Sequence, residues 1–367
     1  MNYKMMGRFT AQILLMEGIF LIPAMFISLV CGEDAAVHGF LVTLGVIVLL
    51  GIPMYLFCRD AKSAFYATEG MMCVAMSWFT LSLIGALPFY ISGAIPGYID
   101  ALFETVSGFT TTGASILPDV ESMAKGLLYW RSFTHWVGGM GVLVFLLAIA
   151  PTKGSEQGFT MHLLRAESPG PSVGKLVPKM RKTAGILYLL YIILTAVDFV
   201  LLLLGDMPIL DALCTAFGTA GTGGFGIKND SIASFSPYIQ NVTTVFMLLF
   251  GVNFSCYYLL ALRQVKSVFK DEELRLYIGI VLGSIALIVW NLWGYYPSFG
   301  ETLRHAAFQV SSIITTTGYA TTDFDLWPSF SKTILLCLMV VGACAGSTGG
   351  GIKVCLLYTS DAADEAR

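Results

Sequence analysis

The chain has 367 residues, of which 56% are hydrophobic and 12% are charged. A soluble globular domain carries roughly 25% charged residues, so the composition excludes an ordinary water-soluble protein. The net charge of −3 says little by itself, and no nucleic-acid partner is expected. The eight cysteines include no CxxC pair, so neither a zinc site nor a disulfide framework is indicated.

Apolar stretches recur along the chain at about the length, roughly 20 residues, that crosses a bilayer as a helix. They are residues 11–31, 37–57, 71–92, 127–150, 183–204, 238–262, 276–294 and 331–355. The sequence therefore predicts an all-α polytopic membrane protein with about eight spanning helices.

The positive charges favour one orientation of these helices. Alternating the spans puts 58–70, 152–182 and 263–275 on one side with the N-terminus, and these segments hold twelve Lys and Arg residues against four on the other side. Because basic residues accumulate in cytoplasmic loops, we expect the N-terminus and the basic loop 152–182 to be cytoplasmic. The basic run 175–182 could also contact acidic lipid or a cytosolic subunit.

Three loops on the opposite side repeat one pattern. They read "DALFETVSGFTTTGAS" (100–115), "DALCTAFGTAGTGGFG" (211–226) and "HAAFQVSSIITTTGYA" (305–320). Aligned on one another, they bring Gly113, Gly224 and Gly318 into register, and in the second copy the register stays open between Gly223 and Gly224. A unit of helix, short apolar segment, Gly/Thr stretch and helix therefore occurs three times, and internal repeats of this kind are typical of transport proteins.

The Gly/Thr stretches suggest a function. Non-helical backbone at membrane depth is tolerated only where it is buried in protein or lines a wet cavity. Threonine hydroxyls and successive carbonyls offer oxygen ligands without charge, as in the carbonyl cage of potassium-channel filters. The preceding short segment would be a pore helix whose partially negative C-terminal end points at the ion. One copy would equally fit an ordinary turn, but three copies favour a cation pore.

Ionisable residues inside apolar segments are functional candidates. Arg131 and His135 stand four apart on one helix face, where they could tune an ion path, although Arg131 is close enough to the membrane edge to snorkel. Asp198 is predicted to pair with Asn253, and Glu17 to lie at a dimer contact or to be partly exposed.

Several motifs together resemble the TrkH/TrkG/KtrB family of bacterial potassium-uptake proteins. They are "SGFTTTGA", "GTGGF", "TTTGYAT", "FTHWVGGMGVLVF" (133–145), "RAESPGP" (165–171) and "CAGSTGGGIKV" (344–354). The resemblance implies four helix–pore-loop–helix units around one ion path, preceded by two extra helices. It also implies a homodimer in the bacterial inner membrane, a cytosolic nucleotide-binding partner of the TrkA type, K⁺ as the transported ion and possibly H⁺ or Na⁺ as the coupling ion.

The resemblance also implies which residues carry the function. The potassium filter would comprise Thr110, Thr111, Thr112, Gly113, Gly221, Thr222, Gly223, Gly224, Thr315, Thr316, Thr317 and Gly318. The gate beneath it would comprise Gly342, Gly346, Ser347, Thr348, Gly349, Gly350 and Gly351. The other interpretation of these glycines is a tight helix-packing face.

The predicted organisation follows the repeats. It consists of two extra helices (1–70), a first pore unit (71–151), the basic loop (152–182), a second pore unit (183–262), a third pore unit with a glycine-rich break in its second helix (263–356) and a tail (357–367). The fourth unit of the family has no counterpart here, so we expect a truncated chain and a tail that is not native.

Other functions fit less well. An enzyme would need a nucleophile and base, or metal ligands, converging at depth, and the sequence has no HExxH, GxSxG or paired-aspartate motif. A non-conducting or regulatory membrane subunit and an uncoupled potassium channel both stay open as alternatives.

Overall fold

The computed structural model describes residues 3–59, 67–141 and 180–358. The predicted loop 152–182 up to residue 179, the "RAESPGP" motif and the predicted tail from residue 359 lie outside the described residues. The helices of the first half are α1 (Tyr3–Cys31), α2 (Asp34–Phe57), α3 (Ala67–Gly85), α4 (Leu87–Ile91), α5 (Tyr98–Phe109) and α6 (Lys125–Gly139). Those of the second half are α7 (Met180–Leu204), α8 (Ile209–Ala220), α9 (Pro237–Phe250), α10 (Phe254–Ala261), α11 (Val265–Lys270), α12 (Glu272–Asn291), α13 (Phe299–Ile314), α14 (Ser329–Val340) and α15 (Cys355–Tyr358).

The long helices are suited to a bilayer. Among the described residues, five helices are long and apolar enough to span a membrane, and α9 with α10 makes a sixth if the bent pair counts as one span. Large apolar side chains such as Leu49, Phe79 and Trp290 are exposed on them, as expected of surfaces that face lipid. The prediction of an all-α polytopic membrane protein with repeated helix–loop–helix units is confirmed.

The second helix of each repeated unit ends or bends within the span predicted for it. Helix α6 ends at Gly139, α14 ends at Val340, and α9 meets α10 at an angle of 91°. The prediction of one continuous helix over 238–262 was therefore wrong, whereas the end of α14 agrees with the predicted glycine-rich break; residues 142–150 of the predicted span 127–150 lie outside the described residues. At the bend, a Cβ on Gly251 would lie within 3 Å of the Tyr277 hydroxyl and the Thr315 methyl group, so the close approach of neighbouring elements requires glycine.

The described residues form two compact units, and the boundary falls within α7, after Tyr188. In the first unit, Glu33 lies between α1 and α2 and caps the start of α6. Its Oε1 accepts a hydrogen bond from the Lys125 amide at 2.6 Å, and its Oε2 accepts one from the Gly126 amide at 3.2 Å. A carboxylate at a helix N-terminus satisfies amides that lack partners within the helix, so the two extra helices are tied to the first repeated unit.

A buried ion pair joins the short helix α5 to α6. The Arg131 Nε lies 2.6 Å from the Glu104 Oε1, and the two side chains are 3% and 0% exposed. Glu104 also accepts hydrogen bonds from the Ser115 hydroxyl at 2.9 Å and the Ile116 amide at 3.0 Å. The prediction that Arg131 reaches the membrane edge was wrong, because the Glu104 carboxylate lies within hydrogen-bond reach inside the protein.

The second unit contains the other two repeats. Its larger core lies where α12, α13 and α14 pack together. This core includes Tyr277, Val281, Ile288, Ala306, Val310, Leu335 and Leu338. A neighbouring core joins α8 and α9 to Phe308 of α13 and to Tyr319. The short helix α13 is thus packed on two sides, which fixes the position of the loop that follows it.

The ion pair predicts a large effect of Arg131→Met on stability. Removal of one partner of a buried pair leaves an uncompensated charge and costs about 3–5 kcal/mol. We expect Arg131→Met to lower the free energy of unfolding by that amount in a mixed-micelle titration. Lys125→Met removes an exposed cation from the same helix and should change it by less than about 0.5 kcal/mol. Equal stability of the two variants would contradict the role of the pair.

Candidate functional site: the glycine/threonine loops and the glycine-rich segment

Three loops begin where the short helices end, and we call 110–113 the first loop, 221–224 the second and 315–318 the third. In the third loop, the Thr316 amide donates to the Ile313 carbonyl at 3.0 Å and the Thr317 amide to the Ser312 carbonyl at 2.9 Å. The other two loops form the same pair of backbone hydrogen bonds. In the first loop the amides of Thr111 and Thr112 donate to the carbonyls of Gly108 and Ser107, and in the second the amides of Thr222 and Gly223 donate to those of Thr219 and Gly218. This arrangement is the Schellman motif, which satisfies the last carbonyls of a helix.

The backbone angles align the three loops residue by residue. The second residue of each has a left-handed conformation, with φ of 54° at Thr111, 51° at Thr222 and 59° at Thr316. The fourth residue is glycine with positive φ in each loop, at Gly113, Gly224 and Gly318. The backbone conformation therefore aligns Gly224, and not Gly223, with Gly113 and Gly318.

Threonine at the left-handed position is costly. Glycine is usual there, and a β-branched residue with positive φ is a genuine outlier. Such strain costs of order 1–3 kcal/mol per residue and clusters at functional sites. Its occurrence at Thr111, Thr222 and Thr316 indicates that the threonine side chain is needed at this position.

Hydroxyl groups brace the first and third loops in the same way. The Thr110 and Thr112 hydroxyls lie 2.8 Å apart, and those of Thr315 and Thr317 are also 2.8 Å apart. The leading hydroxyl of each pair donates back to a carbonyl of its helix. The second loop has Gly221 and Gly223 at these positions and therefore lacks the brace.

The second and third loops pack closely against each other. A Cβ on Gly224 would overlap the Thr317 carbonyl oxygen. The Tyr319 hydroxyl lies 3.3 Å from the Thr215 carbonyl oxygen and 3.4 Å from that of Phe225. In the described part of the chain, no backbone amide donates to the carbonyls of residues 316–318. These oxygens have the chemistry that suits a dehydrated monovalent cation.

The glycine-rich segment, residues 342–351, forms a narrow loop after α14. Val341 and Ile352 form an isolated parallel bridge, and the Gly342 amide donates to the Ile352 carbonyl at 2.9 Å. A Cβ on Gly342 would overlap the Gly350 carbonyl oxygen. Glycine is required here because the two arms of the loop come too close for side chains, which excludes the alternative of glycines on a helix-packing face.

The glycine-rich segment fills the break between α9 and α10. The Cys344 amide donates to the Gly251 carbonyl at 3.0 Å, and the Phe254 amide donates to the Gly346 carbonyl at 3.1 Å. The Thr348 hydroxyl bonds the Phe250 carbonyl at 3.2 Å. The interrupted helix and the segment thus satisfy each other's backbone groups, which the membrane interior demands.

The segment is also bonded to the strained threonines. The Gly350 amide donates to the Thr316 hydroxyl at 2.7 Å, and the Thr222 hydroxyl lies 2.9 Å from the Thr348 carbonyl oxygen. The Lys353 ammonium group donates to the Gly349 carbonyl. Two left-handed threonines are therefore used as direct connections between the loops and the glycine-rich segment.

The structure thus groups many of the residues proposed from sequence. Within the second unit it brings together Gly221–Gly224, Thr315–Gly318 and the tip of the glycine-rich segment, while Gly342 and Gly351 lie at the base of that segment. The first loop belongs to the first unit.

One predicted pair does not form, and two residues of the site were missed. The Asn253 side chain caps α10 by accepting from the Ser255 amide at 2.9 Å, so the predicted pairing with Asp198 was wrong. The buried Asp198 carboxylate finds no hydrogen-bond partner among the described residues. Tyr319 and Glu273, which contact the site, were missed. The "TTTGY" sequence gave a signal for Tyr319, but nothing distinguished Glu273 from the acids beside it.

Comparison with known proteins gives one consistent result. The family model TrkH, described as a cation transport protein, matches residues 38–362. The Trk system potassium uptake protein TrkH of Salmonella typhimurium is 36% identical over 348 residues, which cover 93% of this chain and 71% of that protein. The Trk system potassium uptake protein TrkG of Escherichia coli is 34% identical over 339 residues, 91% of this chain and 69% of that protein.

The fold agrees with these matches. The crystal structure of the potassium transporter TrkH from Vibrio parahaemolyticus superposes with a TM-score of 0.84 at 31% identity, covering 100% of this chain and 76% of that one. With its repeated helix–loop–helix units and these matches, this chain belongs to the TrkH family of cation transport proteins.

Proposed function

We propose that this protein takes up potassium across the cytoplasmic membrane, and that its Gly/Thr loops coordinate the ion through their backbone carbonyls. The observation that carries the proposal is the same strained helix end at Thr111, Thr222 and Thr316. Relatives that cover most of this chain are named as potassium uptake proteins. Carbonyl oxygens without hydrogen bonds replace the hydration shell of a potassium ion.

We further propose that the glycine-rich segment is the gate. Its tip is bonded to both Thr222 and Thr316, so in this position it closes the path next to the loops. Movement of the segment would break both bonds, which couples the gate directly to the filter. The segment lies next to the end of α14 at Val340 and the end of α9 at Phe250. Backbone groups at these ends are not held in a continuous helix, so they can form different hydrogen bonds when the segment moves.

The remaining proposals concern partners and orientation. We propose a homodimer with a cytoplasmic N-terminus in the inner membrane, regulated by a cytosolic nucleotide-binding subunit of the TrkA type. The relatives are named as proteins of a Trk system, which supports a protein that works with other components. Lys266 and Lys270 are exposed on the short helix α11, and they supply positive charge on the side predicted to be cytoplasmic.

Replacement of Gly318 by serine tests the filter. A Cβ at Gly318 meets nothing within 4 Å and its φ is +86°, so serine fits sterically but costs about 1–2 kcal/mol of backbone strain. We expect roughly a tenfold loss of preference for K⁺ over Na⁺, measured by ion uptake in a bacterium that lacks its own potassium-uptake systems.

Gly294→Ser is the matched control for this variant. Gly294 has a φ of +79° and equally open surroundings, but it follows α12 and lies outside the loops. We expect its K⁺/Na⁺ preference to equal that of the unsubstituted protein. An unchanged preference in Gly318→Ser, at normal expression, would refute the filter assignment.

Replacement of Thr316 by valine tests the gate. Valine keeps the shape of the side chain but leaves the Gly350 amide without its acceptor, which costs about 1–3 kcal/mol. We expect the segment to leave its position more often and the basal Rb⁺ flux into proteoliposomes to rise roughly tenfold. Thr333→Val, which removes an exposed hydroxyl from α14, should leave the flux unchanged. A flux in Thr316→Val no higher than in this control would contradict the gate.

A further inference from the structure

Glu273 is a buried carboxylate in the first turn of α12. It is 6% exposed, whereas the adjacent Glu272 is exposed. Asp271 already caps this helix, because its side chain accepts from the Leu274 amide at 2.8 Å. Glu273 is therefore not needed as the helix cap. The partial positive charge at the helix N-terminus favours an ionised carboxylate there.

The bonds of Glu273 lie outside its own helix. Its Oε1 accepts from the Ala345 amide at 2.7 Å and from the Cys355 amide at 3.2 Å. Ala345 is in the first half of the glycine-rich segment, and Cys355, the first residue of α15, lies four residues after Gly351. A single oxygen atom thus joins the first half of the segment to the helix that follows it.

We propose that Glu273 is the positioning residue that fastens the glycine-rich segment against the second and third loops. Hydrogen bonds weaken steeply with distance and angle, so a small displacement of the first turn of α12 breaks both bonds together. The segment then keeps its contacts with the break at Phe250–Phe254 but loses its anchors at Ala345 and Cys355. Only Asp271 separates α11 from α12. A displacement of α11, for example by a bound partner, would therefore also displace Glu273. This inference rests on the proposed gate and adds the residue that controls it.

The native cysteines provide a local test. Cys344 is buried within the glycine-rich segment, and Cys214 is equally buried in α8 of the same unit. Maleimide modification of each thiol in the purified full chain can be quantified by peptide mass spectrometry. In Glu273→Ala we expect Cys344 to react roughly tenfold faster, because two backbone amides lose a charged acceptor. Cys214 should react at its original rate.

Two further variants sharpen the result. Glu273→Gln keeps an acceptor oxygen without charge, so the Cys344 rate should fall between those of Glu273→Ala and the unsubstituted protein. Glu272→Ala removes the exposed neighbouring carboxylate and should change neither rate. This graded order supports a positioning role for Glu273.

Two outcomes would overturn the inference. One is a Cys344 rate in Glu273→Ala equal to that in Glu272→Ala. The other is a parallel rise at Cys344 and Cys214, which would make Glu273 a general stabiliser of the unit. The labelling requires no transported ion, so absence of potassium uptake would refute the proposed function and leave the labelling result standing.

Discussion

The central constraint on this protein is that backbone groups at membrane depth must find partners inside the molecule. The bend between α9 and α10 exposes the carbonyls of Phe250 and Gly251 and the amide of Phe254. The glycine-rich segment supplies the missing partners through Cys344, Gly346 and Thr348. Two interruptions, from different repeated units, therefore stabilise each other. Neither would be tolerated alone, and together they create a non-helical region next to the second and third loops.

The same constraint explains the chemistry of the three loops. Each short helix ends in a Schellman motif, so its last carbonyls are satisfied locally and the chain can turn at once. A left-handed residue is the cost of that turn. The use of Thr222 and Thr316 there, in place of glycine, gives each loop a hydroxyl that reaches the glycine-rich segment. The strained threonines thus also connect the loops to the segment, and for this reason we propose that the filter and the gate act together.

The sequence was sufficient to predict most of the apolar helices and the three loops, because hydropathy and repetition are local signals, but it left the register of the second loop open between Gly223 and Gly224. It did not predict the bend at Gly251, since an isolated glycine in an apolar run is usually tolerated within a helix. It also could not distinguish Glu273 from Asp271 and Glu272, because acidic residues are common in any first helical turn. The pairing of Arg131 with Glu104 was missed for a similar reason: sequence does not reveal which residues of a short helix face its neighbour.

The most direct test of the proposed filter is to locate a bound ion in the protein. Crystals of the protein grown with Rb⁺ in place of K⁺ allow the ion to be located by its anomalous scattering. We predict an anomalous peak at the carbonyl oxygens of Thr315–Gly318, and a weaker peak there in the Gly318→Ser variant. A Rb⁺ peak that lies away from the Gly/Thr loops, and that persists in the variant, would contradict the account.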